Sequence, residues 1–185
     1  MNLLTSRLPD CVTVNGREYR IRTDFRTWIR FGELCTDLAG NIAEILTLCY
    51  IDSLPATLEQ AVTALTAFYL CGHELSRKED TGHKSPIISF AEDAEYIYSA
   101  YLNQYRIDLS TADLHWFQFM ALFRSLADDC KISKIMEARA VNLSDIKDKS
   151  MKKYYQKMKQ AYKLPDRRTQ AQKDADLVAA LETFF

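Results

Sequence analysis

Three groups of side chains in this sequence have the types and spacing to do chemistry. Cys71, His73 and His83 gather around a polar stretch, and thiolate and imidazole are zinc ligands. Cys-Gly-His followed by a distant histidine matches no finger spacing, however, so no metal is expected. Asp128 and Asp129 place two carboxylates together, an arrangement that can hold a metal or run acid–base chemistry. Adjacent acids just beyond an apolar run read more simply as a solvated turn that opens the next helix. His115 stands beside Trp116, with no serine or cysteine nucleophile in a recognisable motif nearby. It reads as a hydrogen-bonded, partly buried side chain rather than a base. The phosphate-cradling loops GxGxxG and GxxxxGK(S/T) are absent. The expectation is a protein that is not an enzyme, with no catalytic residue, no metal and no cofactor.

The fourth group is a surface rather than a centre. Over residues 145–164, Lys147, Lys149, Lys152, Lys153, Lys157, Lys159 and Lys163 face only Asp145 and Asp148. Met151, Tyr154, Tyr155, Met158 and Tyr162 recur between them at helical spacing. Lysines on phosphates and tyrosine rings on unstacked bases would suit nucleic acid. The same pattern suits a protein-binding face, or a solvated lysine face over an apolar stripe. Arginine, the better reader of phosphate, is missing from the segment. Nucleic acid therefore ranks below the other two. The residues expected to meet a partner are Lys152, Lys153, Tyr154, Tyr155, Lys157, Lys159 and Tyr162.

The elements that must position these groups are mostly helices. The chain has 185 residues, enough for one domain with a sizeable core, and only 5 Gly and 4 Pro. Its net charge of −1 does not mark the whole protein as a nucleic-acid or membrane binder. Arg7 and Asp10 interrupt the N-terminal residues, so no signal peptide is expected, and no apolar run reaches membrane-spanning length. Cys11, Cys35, Cys49, Cys71 and Cys130 are widely spaced and odd in number, and are expected as reduced core thiols.

Residues 1–22 hold an N-terminal segment and a hairpin. Val12 and Val14 alternate with polar neighbours, as do Tyr19 and Ile21, around the turn dipeptide Asn15-Gly16. These four apolar residues, and the strand edge that they line, are the expected self-association site. Thr23 or Asp24 caps a first helix with Phe25, Trp28, Ile29, Phe31 and Leu34 on its apolar side. Gly40-Asn41 is expected to break it, with Asn41 and Glu44 opening a second. Thr57 and Gln60 cap a third, and Ser89 and Glu92 a fourth. Residues 73–88 form a polar loop between them. The fifth helix, Leu114–Leu126, is the most aromatic run, and the spacing of Ser110 and Asp113 suggests its cap. It is greasy on several faces, so it should be the buried scaffold of the molecule. A sixth helix around Ile132–Val141, a seventh over 145–164 and a C-terminal helix over 168–185 complete the count. The fold expected is a single, mainly α domain of about seven to eight helices with a small N-terminal β-hairpin.

Several stretches together carry a resemblance. They are Thr23-Asp-Phe-Arg-Thr-Trp-Ile-Arg-Phe31, Asp93-Ala-Glu-Tyr-Ile-Tyr98 with Tyr105-Arg-Ile-Asp-Leu109, Leu114-His-Trp-Phe117 and Lys131-Ile-Ser-Lys-Ile-Met136. Leu143-Ser-Asp-Ile-Lys-Asp-Lys149, Lys153-Tyr-Tyr155 and Tyr162-Lys-Leu-Pro-Asp166 continue the set. In this order they resemble the small tail-module protein of siphophages and prophages of Gram-positive bacteria, encoded just before the tape measure protein. The likeness runs from the hairpin to Asp166 and is weakest from Gly32 to Cys71 and in the polar loop.

By gene position that family is taken to be a tail assembly chaperone, similar in role to the paired products made before the tape measure in phage lambda. The resemblance implies binding of the tape measure protein without chemistry, in the cytoplasm of the bacterial host. It implies as further partners a second tail assembly chaperone and other copies of the chain, and absence from the finished virion. The readings kept beside it are a minor tail protein retained in the virion and a nucleic-acid-binding regulator using residues 145–164.

Overall fold

A computed structural model of the chain describes residues 2–73 and 86–165. The chain folds as a mainly helical protein with a two-stranded N-terminal hairpin, as the sequence led us to expect. The described residues hold seven α-helices, the lower end of the expected number. The expected C-terminal helix over 168–185, and most of the polar loop with His83, lie outside the described residues. Two compact units meet in the chain between Met136 and Glu137.

In the first unit, β1 (Cys11–Val14) pairs antiparallel with β2 (Arg17–Arg20), and Val12 lies opposite Tyr19. Asn15 and Gly16 both take positive φ, 52° and 78°, the two-residue turn whose twist suits flanking strands. An isolated hairpin is marginal, and this one is held on two sides. Val12, Tyr19 and Ile21 are buried in the core, and α3 (Leu58–Tyr69) packs against β1. Beyond β2, Ile21 bridges to Tyr50, with Ile51 N donating to Arg20 O at 3.1 Å.

α1 (Phe25–Leu34) starts at Asp24, whose carboxylate accepts from Arg26 N. It does not run to Gly40. A single 3-10 turn, Cys35–Asp37, separates it from α2 (Leu38–Cys49), and Gly40 lies inside the first turn of α2. The sequence expectation missed the cap here. Asp37 accepts from Gly40 N at 3.2 Å, while Asn41 Nδ2 donates back to Leu34 O at 3.1 Å. The two polar side chains close one helix and open the next. At the far end of α2, the Arg22 guanidinium donates to the carbonyls of Thr47, Leu48 and Tyr50 at 2.8, 2.8 and 3.2 Å. A cation on the final carbonyls is the favoured complement of a helix C-terminus.

α3 begins at Thr57 as expected, with its hydroxyl accepting from Gln60 N. α4 (Ala94–Tyr105) starts later than expected: Ser89 and Glu92 form a turn before it, and the buried Asp93 is its N-cap. α5 is Trp116–Arg124, shorter than Leu114–Leu126, and the expected cap from Ser110 and Asp113 does not form. Ser110 instead bonds through N and Oγ to Asp108 Oδ1, at 2.9 and 2.6 Å.

The scaffold role of α5 is borne out. Phe119 stacks on Phe25, Tyr101 and Trp116, with ring centroids 4.8, 5.1 and 5.7 Å apart. Trp116 also stacks on Tyr69 at 5.2 Å. Each buried aromatic of this size contributes on the order of 2–3 kcal/mol through burial. Their polar tips are met by backbone: Trp116 Nε1 donates to Tyr69 O, Trp28 Nε1 to Arg22 O and Tyr101 Oη to Phe119 O. The starts of α1 and α5 are tied reciprocally, Phe25 N to Leu114 O at 3.0 Å and Trp116 N to Thr23 O at 2.7 Å.

The expectation of five core thiols is corrected. Cys49 alone is buried, Cys35 is exposed, and Cys11, Cys71 and Cys130 lie between. Cys35 falls in the 3-10 turn after α1, where the apolar stripe has already ended.

Candidate functional site

His115 is placed as a structural group. Its Nδ1 accepts from Phe117 N at 3.0 Å, while Gln118 Oε1 accepts from His115 N at 3.1 Å. This is a reciprocal box at the start of α5. Because Nδ1 accepts, the ring proton sits on Nε2, which donates to Pro9 O at 2.9 Å. Burial lowers the pKa of the ring below the ordinary value, against the opposing pull of Pro9 O and Asp10. Both nitrogens are thus committed to holding backbone.

The other chemical candidates disperse. Asp128 and Asp129 are exposed. His73 Nε2 lies 3.0 Å from Arg124 Nη1. Burial pushes the Cys71 thiol up, away from thiolate. Among the described residues no three His, Cys, Asp or Glu side chains come together to hold a metal. An apolar cavity of about 220 Å³ lies among Phe25, Ile29, Phe90, Ile97, Leu109 and Phe119. Its polar rim, Tyr98 and Ser110, is tied to Asp108.

The second unit carries the surface. α6 (Lys131–Ala140) ends in this unit, and α7 spans Lys149–Ala161. Asp148 caps α7, accepting from Met151 N at 2.7 Å. Three polar ties hold α7 to the last turn of α6. Tyr155 Oη donates to Glu137 Oε1 at 2.6 Å, Lys159 Nζ to Arg139 O at 2.8 Å, and Arg139 Nε to Tyr162 O at 2.7 Å. The bond to Glu137 raises the pKa of the Tyr155 hydroxyl.

Of the seven residues expected to meet a partner, these ties engage Tyr155, Lys159 and Tyr162. Lys152 is half-buried, and Lys153, Tyr154 and Lys157 are exposed. No residue of α7 is buried. At 100° per residue, Met151, Tyr154, Tyr155, Met158 and Tyr162 share one face. On it Met151 is 53% exposed and Tyr154 54%. Met151 belongs to the surface although the sequence reading left it out; its place in the Met/Tyr stripe was the available signal.

The other expected contact, self-association through Val12, Val14, Tyr19 and Ile21, meets a different placement. Val12, Tyr19 and Ile21 are buried and Val14 packs partly against the core, so these side chains hold the hairpin down. The β2 side is occupied at Arg20 and Arg22 by Ile51 and Cys49.

Fold and surface together define a small, mainly helical protein whose α7 is amphipathic and has no buried residue. The chain belongs to the Bacteriophage Gp15 protein family, which it matches over residues 4–164. It is therefore a bacteriophage protein. No curated protein and no solved structure matches the chain. Among the described residues no helix is long and apolar enough to cross a membrane.

Proposed function

We propose that this phage protein is a non-enzymatic tail assembly chaperone that holds the tape measure protein in the cytoplasm of a Gram-positive host until tail tube subunits polymerise around it. The observation that carries this reading is the face of α7, where Met151 and Tyr154 stand more than half exposed beside the Tyr155 and Lys159 side chains that tie the helix to α6. The resemblance implies a tape measure chain that is long, helical and prone to aggregate. A groove or face that buries apolar anchors at helical spacing is how such a chain is held. Methionine and tyrosine adapt to anchors of varied shape, so one surface serves many positions along a repetitive partner. The ordered resemblance from the hairpin to Asp166 supports the same role.

Several copies bind along one tape measure, and a second chaperone joins them. Contact between copies through the hairpin uses backbone edge rather than its buried apolar side chains. The test has two parts. Co-expression with tape measure fragments yields a soluble complex, and mass spectrometry of purified virions finds none of this chain. A stoichiometric presence in virions would assign it instead as a minor structural tail protein.

A further inference from the structure

We propose that the segment seated on α7 is an acidic amphipathic helix, with carboxylates facing Lys153 and Lys157 and apolar residues covering Met151 and Tyr154. This rests on the reading that the chain holds a helical protein, and it names the chemistry of the segment that is held.

The charge on α7 is one-sided. Lys149–Ala161 contains five lysines and no acid, on a chain whose net charge is −1. The lysines are not equivalent. The Lys159 ammonium is spent on Arg139 O, and Lys152 is half-buried. Lys153 and Lys157 are exposed and four residues apart, so they lie about 6 Å apart along the axis, on one flank of the Met151–Tyr154 stripe. A partner helix with Glu or Asp at the same four-residue spacing beside its apolar stripe presents the matching row. A basic or neutral helix would leave both ammonium groups at the rim of an apolar contact without a counter-charge.

Nucleic acid fits this face less well. The middle of the stripe is Met151 and Met158, which neither stack on bases nor bind phosphate. Tyr155 is held through its hydroxyl by Glu137, which leaves Tyr154 as the exposed ring. No arginine lies in the helix.

The test uses the full-length protein and labelled synthetic helices followed by fluorescence anisotropy. One peptide carries a leucine stripe with glutamate flanks, and a second has the same stripe with lysine flanks. The third probe is a single-stranded oligonucleotide of about 20 nucleotides, a length chosen to cover one basic groove. The glutamate peptide binds, and the lysine peptide binds at least about tenfold more weakly, a gap that closes at high salt. The double variant K153E/K157E reverses the preference, and its unchanged thermal unfolding shows that the fold is intact. Equal binding of both peptides, binding of neither, an unreversed preference, or displacement of the glutamate peptide by the oligonucleotide overturns the proposal. If the tape measure still co-purifies with K153E/K157E as well as with wild type, the acidic-helix proposal falls and the chaperone reading stands. If the tape measure does not associate with the wild type at all, the chaperone reading falls whatever the peptides do.

Discussion

His115 shows how a side chain that looks chemical in the sequence becomes structural in the fold. A helix start leaves backbone N–H groups without partners, and serine, threonine and aspartate are the usual remedies. Here an imidazole does the same work, because Nδ1 reaches Phe117 N while Nε2–H is fixed on Pro9 O. The arrangement needs the neutral ring: a proton on Nδ1 removes the acceptor. Burial disfavours the charged form as well, so the folded pKa lies below the ordinary value of about 6.5. The sign follows. The unfolded chain takes up the proton first, so the stability from His115 is complete above about pH 6.5 and drains away as pH falls through the lower folded value. Denaturant unfolding between about pH 7.5 and 5.5 should show this loss, and His115→Asn, which keeps an accepting atom but does not titrate, should flatten it. His115→Ala should cost about 1–2 kcal/mol at neutral pH, through loss of the cap and of the bond to Pro9. The sequence marked His115 as partly buried and hydrogen-bonded, but not its role as cap. That role depends on Pro9, which lies far away in the chain and reaches His115 only in the folded molecule.

At the level of elements, legibility tracks how local the determining interaction is. The hairpin was readable because Asn15-Gly16 sets its own turn and alternation sets its register. The starts of α1 and α3 were readable because Asp24 and Thr57 cap within their own first turns. The break between α1 and α2 was misplaced because Gly40 suggested an end, whereas the folded turn lets Asp37 accept from Gly40 N and Asn41 donate back to Leu34 O. Just after α4, Arg106 takes the left-handed conformation at φ 58°, a position that glycine usually fills. Gly32 tests the packing of α1 on α3. Alanine in a helix interior is ordinarily favoured over glycine by about 1 kcal/mol. At this position its Cβ would lie 2.6 Å from the Tyr69 hydroxyl, on a ring stacked against Trp116. Gly32→Ala should therefore lower stability by about 1–2 kcal/mol. Adding Tyr69→Phe should recover part of that loss, as read by the urea midpoint. Recovery would trace the cost to the hydroxyl, while a stabilised single variant would show that the two helices pack less closely than described.

For the whole molecule, the chemistry-bearing residues and the residues proposed to face a partner separate. Histidine, buried tyrosines and tryptophans are consumed in closing the first unit, where their polar tips meet backbone carbonyls. The second unit leaves Met151, Tyr154, Lys153 and Lys157 outward. The contact expected from the sequence was put on this helix, with no indication of which of its residues face outward. Tyr155, Lys159 and Tyr162 were equal candidates until Glu137 and Arg139 engaged them. Met151 and Tyr154 are more than half exposed, and the Tyr154 ring meets only the edge of Tyr155 at 5.3 Å among the ring contacts of the described residues, so these two positions can be altered without unfolding the chain. The central claim is that α7 holds the phage tape measure protein, and co-purification tests it most directly. Tagged full-length chain is co-expressed with the tape measure protein of the same phage, as wild type and as Met151→Asp/Tyr154→Ala. The wild type should bring the tape measure down in soluble form, and the variant should unfold at the same temperature yet recover at least about tenfold less of it, as loss of two central anchors implies. Equal recovery with both chains would contradict the account.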